Sequence, residues 1–123
     1  MCGPRPPSKL PRMANDPVVC FSTASSADEA EKIAKALVEE QLAACVNLVP
    51  GVRSIYRWQG QIEDTTEVFL VIKTQRHLVE SVIGRVRALH SYSVPELIAL
   101  PIVAGAPDYL AWLADSTSKP RSR

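Results

Sequence analysis

The sequence contains no long hydrophobic run. No window approaches the roughly 18 consecutive apolar residues that a membrane-spanning helix needs. The first 16 residues hold four prolines and no apolar segment of the kind that forms the centre of a secretory signal. We therefore predict a protein with neither a secretory signal nor a membrane partner.

Cysteine is scarce, and its spacing fits neither a disulfide framework nor a zinc knuckle. The three cysteines, at positions 2, 20 and 45, are odd in number and far apart, which favours a reducing compartment. None of them forms a Cys-x-x-Cys pair. The sequence also lacks a glycine-rich phosphate loop, a His-Glu-x-x-His motif and a nucleophile elbow. No enzymatic activity is predicted.

The central part of the chain has no excess of basic residues. Segments 1–16 and 116–123 carry six of the 14 Lys and Arg residues but one of the 13 Asp and Glu residues, which leaves 17–115 with a net charge of −4. A mildly acidic domain does not favour nucleic-acid binding. We predict a single domain over 17–115, with disordered tails over 1–16 and 116–123.

Hydrophobic periodicity predicts the order β-α-β-β-α-β followed by a short helix. The first and last strands are expected over 18–23 and 97–103, and the second main helix over 76–90. Ser26 and Glu29 have the spacing of a capping box at the start of the first helix. This order is that of the ferredoxin-like split βαβ fold, in the α+β class.

One long antiparallel hairpin over 45–73 is the dominant predicted element. Residues 58–61 place Gly60 where the turn needs a positive φ, and Pro50 followed by Gly51 is expected to bend or bulge the first arm. In the second arm, residues 68–72 are apolar on both faces, as in a covered central strand. Because both helices are expected on one sheet face, we predict that another copy of the chain covers the other face.

The chain resembles the CutA family of divalent-cation tolerance proteins between positions 18 and 113. The resemblance implies a ferredoxin-like homotrimer, a cytoplasmic setting, a role in tolerance of copper and other divalent ions, and an architecture similar to trimeric PII signalling proteins. Some family members carry a cysteine where this chain has Ser22, so Cys20 cannot inherit a copper-ligand role directly. The matching stretches are 42–47 (LAACVN), 56–60 (YRWQG), 72–74 (IKT), 90–96 (HSYSVPE) and 108–113 (DYLAWL).

The best candidate metal ligands are His90 and Glu96, which flank Tyr92. Imidazole and carboxylate groups are plausible ligands for copper or another divalent ion. The alternative is that His90 caps the second helix while Glu96 forms an ordinary ion pair. Cys20 and Cys45 are weaker metal candidates, since an isolated cysteine more often serves as a small hydrophobic residue.

A second group of candidates is expected at a cleft between subunits. Tyr56, Trp58, Lys73 and Tyr92 could contact either a neighbouring subunit or a ligand; the alternatives are packing for Trp58 and a solvated side chain for Lys73. This group supports a second hypothesis, a PII-like trimeric sensor that binds an anionic small molecule between subunits. The basic side chains of that site would be Arg53, Arg57 and Lys73.

Overall fold

A computed structural model describes residues 16–118 and arranges them in the order β-α-β-β-α-β followed by a helix. Segments 1–15 and 119–123, which hold most of the two predicted tails, lie outside the described residues. No helix within the described part of the chain reaches the length and hydrophobicity of a membrane span. The elements are β1 (Pro17–Ala24), α1 (Ala27–Glu39), β2 (Cys45–Trp58), β3 (Gln61–Gln75), a 3-10 turn (Arg76–Leu78), α2 (Val79–Leu89), β4 (Ile98–Pro101) and α3 (Pro107–Ser116).

The four strands form one antiparallel sheet in the order β2-β3-β1-β4. β3 lies between β1 and β2, and β1 lies between β3 and β4, as two split βαβ units require. β4 pairs only with β1 and runs for four residues rather than the predicted seven. β4 lies at the edge of the sheet, as the sequence indicated for a strand that contains Pro101. Just past this proline, the Ile102 N–H donates to the Pro17 carbonyl at 3.0 Å.

β2 and β3 form the predicted hairpin, with strands of 14 and 15 residues. The turn consists of Gln59 and Gly60, whose φ angles are 51° and 80°, as a two-residue type I′ turn requires. In β2 the register shifts between Val49 and Val52, where one extra residue is inserted and Gly51 has φ +76°. The predicted bulge is therefore confirmed.

The hydrophobic core lies between the sheet and the pair α1 and α2. Alternate residues of β1 point to this side, and Val18, Cys20 and Ala24 are fully or almost fully buried there. Ser26 caps α1 by accepting a hydrogen bond from the Glu29 N–H at 3.1 Å. The other large core side chains are Ile33, Leu37, Leu70, Ile72, Val82 and Val86.

The third helix, α3, extends the ordered part of the chain past the predicted boundary. It contacts β1 and β3, and it ends at Ser116. The next residue, Thr117, is 4% exposed and accepts a hydrogen bond at 2.6 Å from the Nε2 of Gln75, which is also buried. Ser116 and Thr117, which the sequence assigned to the tail, therefore form the end of α3 and its cap, and a buried polar pair joins this end to β3.

The sheet face opposite α1 and α2 is only partly covered. Phe21 and Phe69 are in ring contact on this face, with centroids 5.2 Å apart. Around them, Val49, Ile98 and Leu100 are 43%, 52% and 42% exposed. Neighbouring apolar side chains exposed to this degree form a patch of the kind that a partner usually covers. We call this surface the open face.

Candidate functional site

A half-open cavity of about 730 Å³ lies at the outer end of the hairpin. Its walls are the outer half of the hairpin, the end of β1 and the loop of residues 90–97 that joins α2 to β4. We call this cavity the hairpin cleft. It is lined by Thr23, Ser54, Ile55, Tyr56, Trp58, Glu63, Glu67, Tyr92, Ser93, Val94 and Glu96.

Strand alternation explains how the hairpin builds its wall of the cleft. Ser54, Tyr56 and Trp58 are two residues apart in β2 and therefore project from one face. Tyr56 is paired with Glu63 across the ladder, so Glu63 and Glu67 project from that same face. Aromatic rings from one strand thus lie beside carboxylates from the other.

The imidazole of His90 joins the 90–97 loop to the end of β1 by two hydrogen bonds. Its Nδ1 accepts a hydrogen bond from the Tyr92 N–H at 3.0 Å, so Nε2 carries the proton and donates to the Thr23 carbonyl at 2.6 Å. The ring is completely buried. The Glu29 carboxylate lies 3.9 Å from Nδ1, but a nitrogen that accepts the Tyr92 N–H carries no proton, so this contact is not an ion pair.

The carboxylate of Glu29 also joins the 90–97 loop to the segment that follows β1. It accepts hydrogen bonds from the backbone N–H and the hydroxyl of Ser25, both at 2.9 Å, and from the Ser91 N–H at 2.6 Å. Burial alone would raise the pKa of this carboxyl, but the hydrogen bonds from Ser25 and Ser91 outweigh burial and lower the pKa to about 2. The capping box differs from prediction, because the carboxylate binds the N–H of Ser25 rather than that of Ser26.

Glu67 is the most deeply buried charged group of the cleft. Only 5% of the residue is exposed, and its Oε2 accepts a hydrogen bond from the Tyr92 hydroxyl at 2.6 Å. Burial and the neighbouring carboxylate both raise the pKa of Tyr92, so the phenol remains protonated and donates. Sequence analysis did not identify Glu67, although a carboxylate directly before the apolar run 68–72 was a usable signal.

His90 does not have the geometry expected of a metal ligand. A ligand nitrogen must present a lone pair to the ion, whereas Nδ1 of His90 already accepts a hydrogen bond and Nε2 donates one. The side chain of Glu96 does line the cleft, while its carbonyl accepts a hydrogen bond from the Ser22 hydroxyl at 2.7 Å. The two candidates predicted to act together therefore have separate roles.

The other candidate metal ligands and Lys73 lie away from the cleft. Cys20 is fully buried in the core, and burial raises the pKa of its thiol to about 11, which disfavours the thiolate that metals bind. Cys45 is half-buried and pairs with Lys73 across the ladder, and Lys73 donates to the Asn47 side chain. Within residues 16–118, no group of three or more His, Cys, Asp or Glu side chains is arranged to hold a metal ion. Within the described residues, the predicted ligands therefore do not come together as a group of three.

The charge of the cleft is negative. Its described lining includes the carboxylates of Glu63, Glu67 and Glu96 but no Lys or Arg side chain. Arg53 instead forms an exposed ion pair with Asp64, with 2.6 Å between Nη2 and Oδ2. Of the cleft residues predicted from the sequence, the structure brings together Tyr56, Trp58 and Tyr92.

The four-stranded antiparallel sheet, its long hairpin and the three helices define a mixed α/β protein with a cleft at the end of the hairpin. The family model described as CutA1 divalent ion tolerance protein matches residues 18–116. The chain belongs to this family, as its sequence motifs predicted.

Individual relatives agree over most of the described part of the chain. The divalent-cation tolerance protein CutA of Thermus thermophilus is 52% identical over 99 residues, which are 80% of this chain and 96% of that protein. The chloroplastic protein CutA of Arabidopsis thaliana is 45% identical over 81% of this chain and 55% of its own length. The crystal structure of CutA from Xylella fastidiosa has a TM-score of 0.81 at 46% identity and covers 83% of this chain and 98% of that chain.

Proposed function

We propose that this protein acts in the tolerance of, or response to, divalent metal ions and binds copper or a similar ion without catalysing a reaction. Membership of a family described by divalent ion tolerance is the observation that carries the proposal. The proposed setting is the cytoplasm, in line with cysteines that fit a reducing compartment. The Arabidopsis relative is described as chloroplastic, so relatives differ in compartment.

We further propose that the working form is a homotrimer. The support is the open face, where Ile98 and Leu100 of the edge strand are about half exposed beside the ring pair of Phe21 and Phe69. An exposed apolar patch on a sheet is unfavourable in water, and a second copy of the same chain is the simplest cover.

Light scattering of the full chain at micromolar concentration tests the trimer. We expect about three times the mass of one chain, because the open face must be buried. Replacing Leu100 by Glu should lower that mass, since a carboxylate at the centre of an apolar interface loses its hydration without gaining a partner. Lys32→Glu, an exposed change on α1, is the control. A monomeric parent chain would contradict the proposal.

Ion binding in such a trimer would use oxygen ligands of the cleft together with groups from a neighbouring subunit. Glu67 and Phe69 are two residues apart in β3 and therefore lie on one side of the sheet. The cleft and the open face are thus continuous, so a copy that covers the open face also approaches Glu96 and Glu63. A site completed between subunits is compatible with the absence of a three-ligand group within residues 16–118 of a single chain.

Thermal unfolding in the presence of ions tests the metal proposal. A ligand that binds only the folded state raises Tm as its concentration rises, so Cu²⁺ or Zn²⁺ should raise Tm while succinate and ATP should not. Glu96→Gln should weaken ion binding by about tenfold or more, whereas Glu31→Gln on the exposed side of α1 should not. A rise in Tm with the anions alone would favour the sensor hypothesis instead.

The sensor of anionic molecules is not favoured by the charges that surround the cleft. Three carboxylates line it, and the basic side chains assigned to that hypothesis are outside its described lining. An anion in this cavity would lie close to like charges, one of them the buried Glu67, which is costly.

A further inference from the structure

The carboxylate of Glu67 is nine-tenths buried in the hairpin cleft, yet no positive charge within residues 16–118 is paired with it. Its Oε2 accepts a hydrogen bond from the neutral Tyr92 hydroxyl, and the described lining of the cavity contains no Lys or Arg side chain. A buried carboxylate without a counter-charge is costly. Glu67 forms part of the cavity wall, so its negative charge acts on whatever occupies the cleft.

The surfaces around Glu67 fit a particular kind of cation. Glu63 and Glu96 add two more carboxylates, and the rings of Tyr56 and Trp58 lie on the same hairpin face as Glu63 and Glu67. Aromatic faces attract alkylammonium and guanidinium groups by cation–π contact, and a carboxylate accepts two parallel hydrogen bonds from a guanidinium. Apolar side chains in the lining would contact the methylene groups of such a ligand.

We propose that the hairpin cleft binds a small organic cation, an alkylammonium or alkylguanidinium compound, with Glu67 as its counter-ion and the rings of Tyr56 and Trp58 against its charged group. The volume of about 730 Å³ falls in the range of small-molecule pockets, roughly 300–1,000 Å³. It exceeds what a bare metal ion occupies. The divalent ion of the proposed function would use carboxylates of the same cleft, so the two ligands would compete for it, but the binding of an organic cation does not require the metal.

Tryptophan fluorescence of the full chain in its own assembly gives a direct test. The chain has two tryptophans, so Trp112→Phe leaves Trp58 as the only reporter. Agmatine, which carries a guanidinium and an ammonium group, should change the Trp58 emission in a saturable manner. 1,4-Butanediol and succinate should not. The response should persist in EDTA, which separates organic-cation binding from metal binding, and it should weaken as salt is raised.

Variants assign the response to the cleft. In the Trp112→Phe background, Glu67→Gln keeps the shape of the side chain and an acceptor for Tyr92 but removes the charge, so agmatine should bind about tenfold or more weakly. Glu31→Gln removes an exposed carboxylate from α1 and should leave binding within about twofold. The separate variant Trp58→Phe, which leaves Trp112 as the reporter, should show no saturable response.

Three results would overturn the proposal. One is equal affinity for agmatine in the Glu67→Gln and Glu31→Gln variants, which would mean non-specific attraction to an acidic surface. Another is a response that EDTA abolishes, which would assign the cleft to metal ions. The third is failure of agmatine to bind while Glu67→Gln lowers the mass of the assembly, which would mean that a basic side chain of a second copy fills the cleft.

Discussion

Replacing His90 with alanine should lower the free energy of unfolding by about 2–4 kcal/mol, because each buried polar group left without a partner costs about 1–3 kcal/mol. The imidazole is fully buried and joins the Thr23 carbonyl to the Tyr92 N–H. Its removal leaves both groups unpaired and opens a cavity between β1 and the 90–97 loop. Chemical denaturation followed by circular dichroism measures the loss.

Two further variants separate this structural role from metal ligation. His90→Gln can still donate an amide N–H near the position of Nε2, so it should recover part of the lost stability. His77→Ala removes the other histidine, which is exposed in the 3-10 turn, and should change stability little. If His90→Ala kept the parental stability while losing copper binding, His90 would be a metal ligand and the assigned tautomer would be wrong.

Acid should remove the stabilisation that Glu29 provides. Its pKa is lowered from 4.5 to about 2 in the folded protein, so the folded state favours the ionised carboxylate. The stabilisation is complete above about pH 4.5 and is lost as the pH falls from there toward 2. At about 1.36 kcal/mol per pH unit, the full contribution is about 3 kcal/mol.

The variant Glu29→Gln should reproduce that loss at neutral pH. Its stability should fall short of the parent by about 3 kcal/mol at pH 7 and by less at pH 3, since the difference shrinks as Glu29 becomes protonated. Asp28→Asn is a matched control in the same helical turn, because Asp28 is exposed and acts mainly on the helix dipole, worth about 0.3–1 kcal/mol. A difference between parent and Glu29→Gln that does not change with pH would contradict the assignment.

Local sequence signals were sufficient for most of the backbone, although not for the length of β4 or the end of α3. Gly60 predicted the turn, and Pro50 with Gly51 predicted the bulge, because positive φ angles and a missing N–H restrict the chain within a few residues. Apolar periods predicted the helices α1 and α2 and the order of the elements along the chain. The motifs between 42 and 113 predicted the family, which the family model then matched over 18–116.

The chemistry of the cleft depended on contacts between residues far apart in the chain. His90 has the sequence context of an accessible ligand at a helix end. In the structure its Nε2–H instead donates a hydrogen bond to the carbonyl of Thr23, 67 positions earlier. Glu67 received no assignment from the sequence. The fold brings it to Tyr92, 25 positions away, whose hydroxyl donates to its carboxylate. Outside the cleft, the same holds for Thr117. The sequence assigned it to a tail, whereas in the structure it accepts a hydrogen bond from Gln75 in β3.

The sequence by itself determined most of the secondary structure, the order of the elements along the chain and the family, since turn chemistry, periodicity and motif spacing act over short distances. Only the tertiary structure decided which side chains are buried, which lone pairs are used and which sign of charge lines the cleft. Those properties depend on desolvation and on hydrogen-bond partners brought together by folding. For that reason His90, the predicted metal ligand, forms hydrogen bonds that hold a loop, and Glu67, which was not predicted, is the most deeply buried charged group of the cleft.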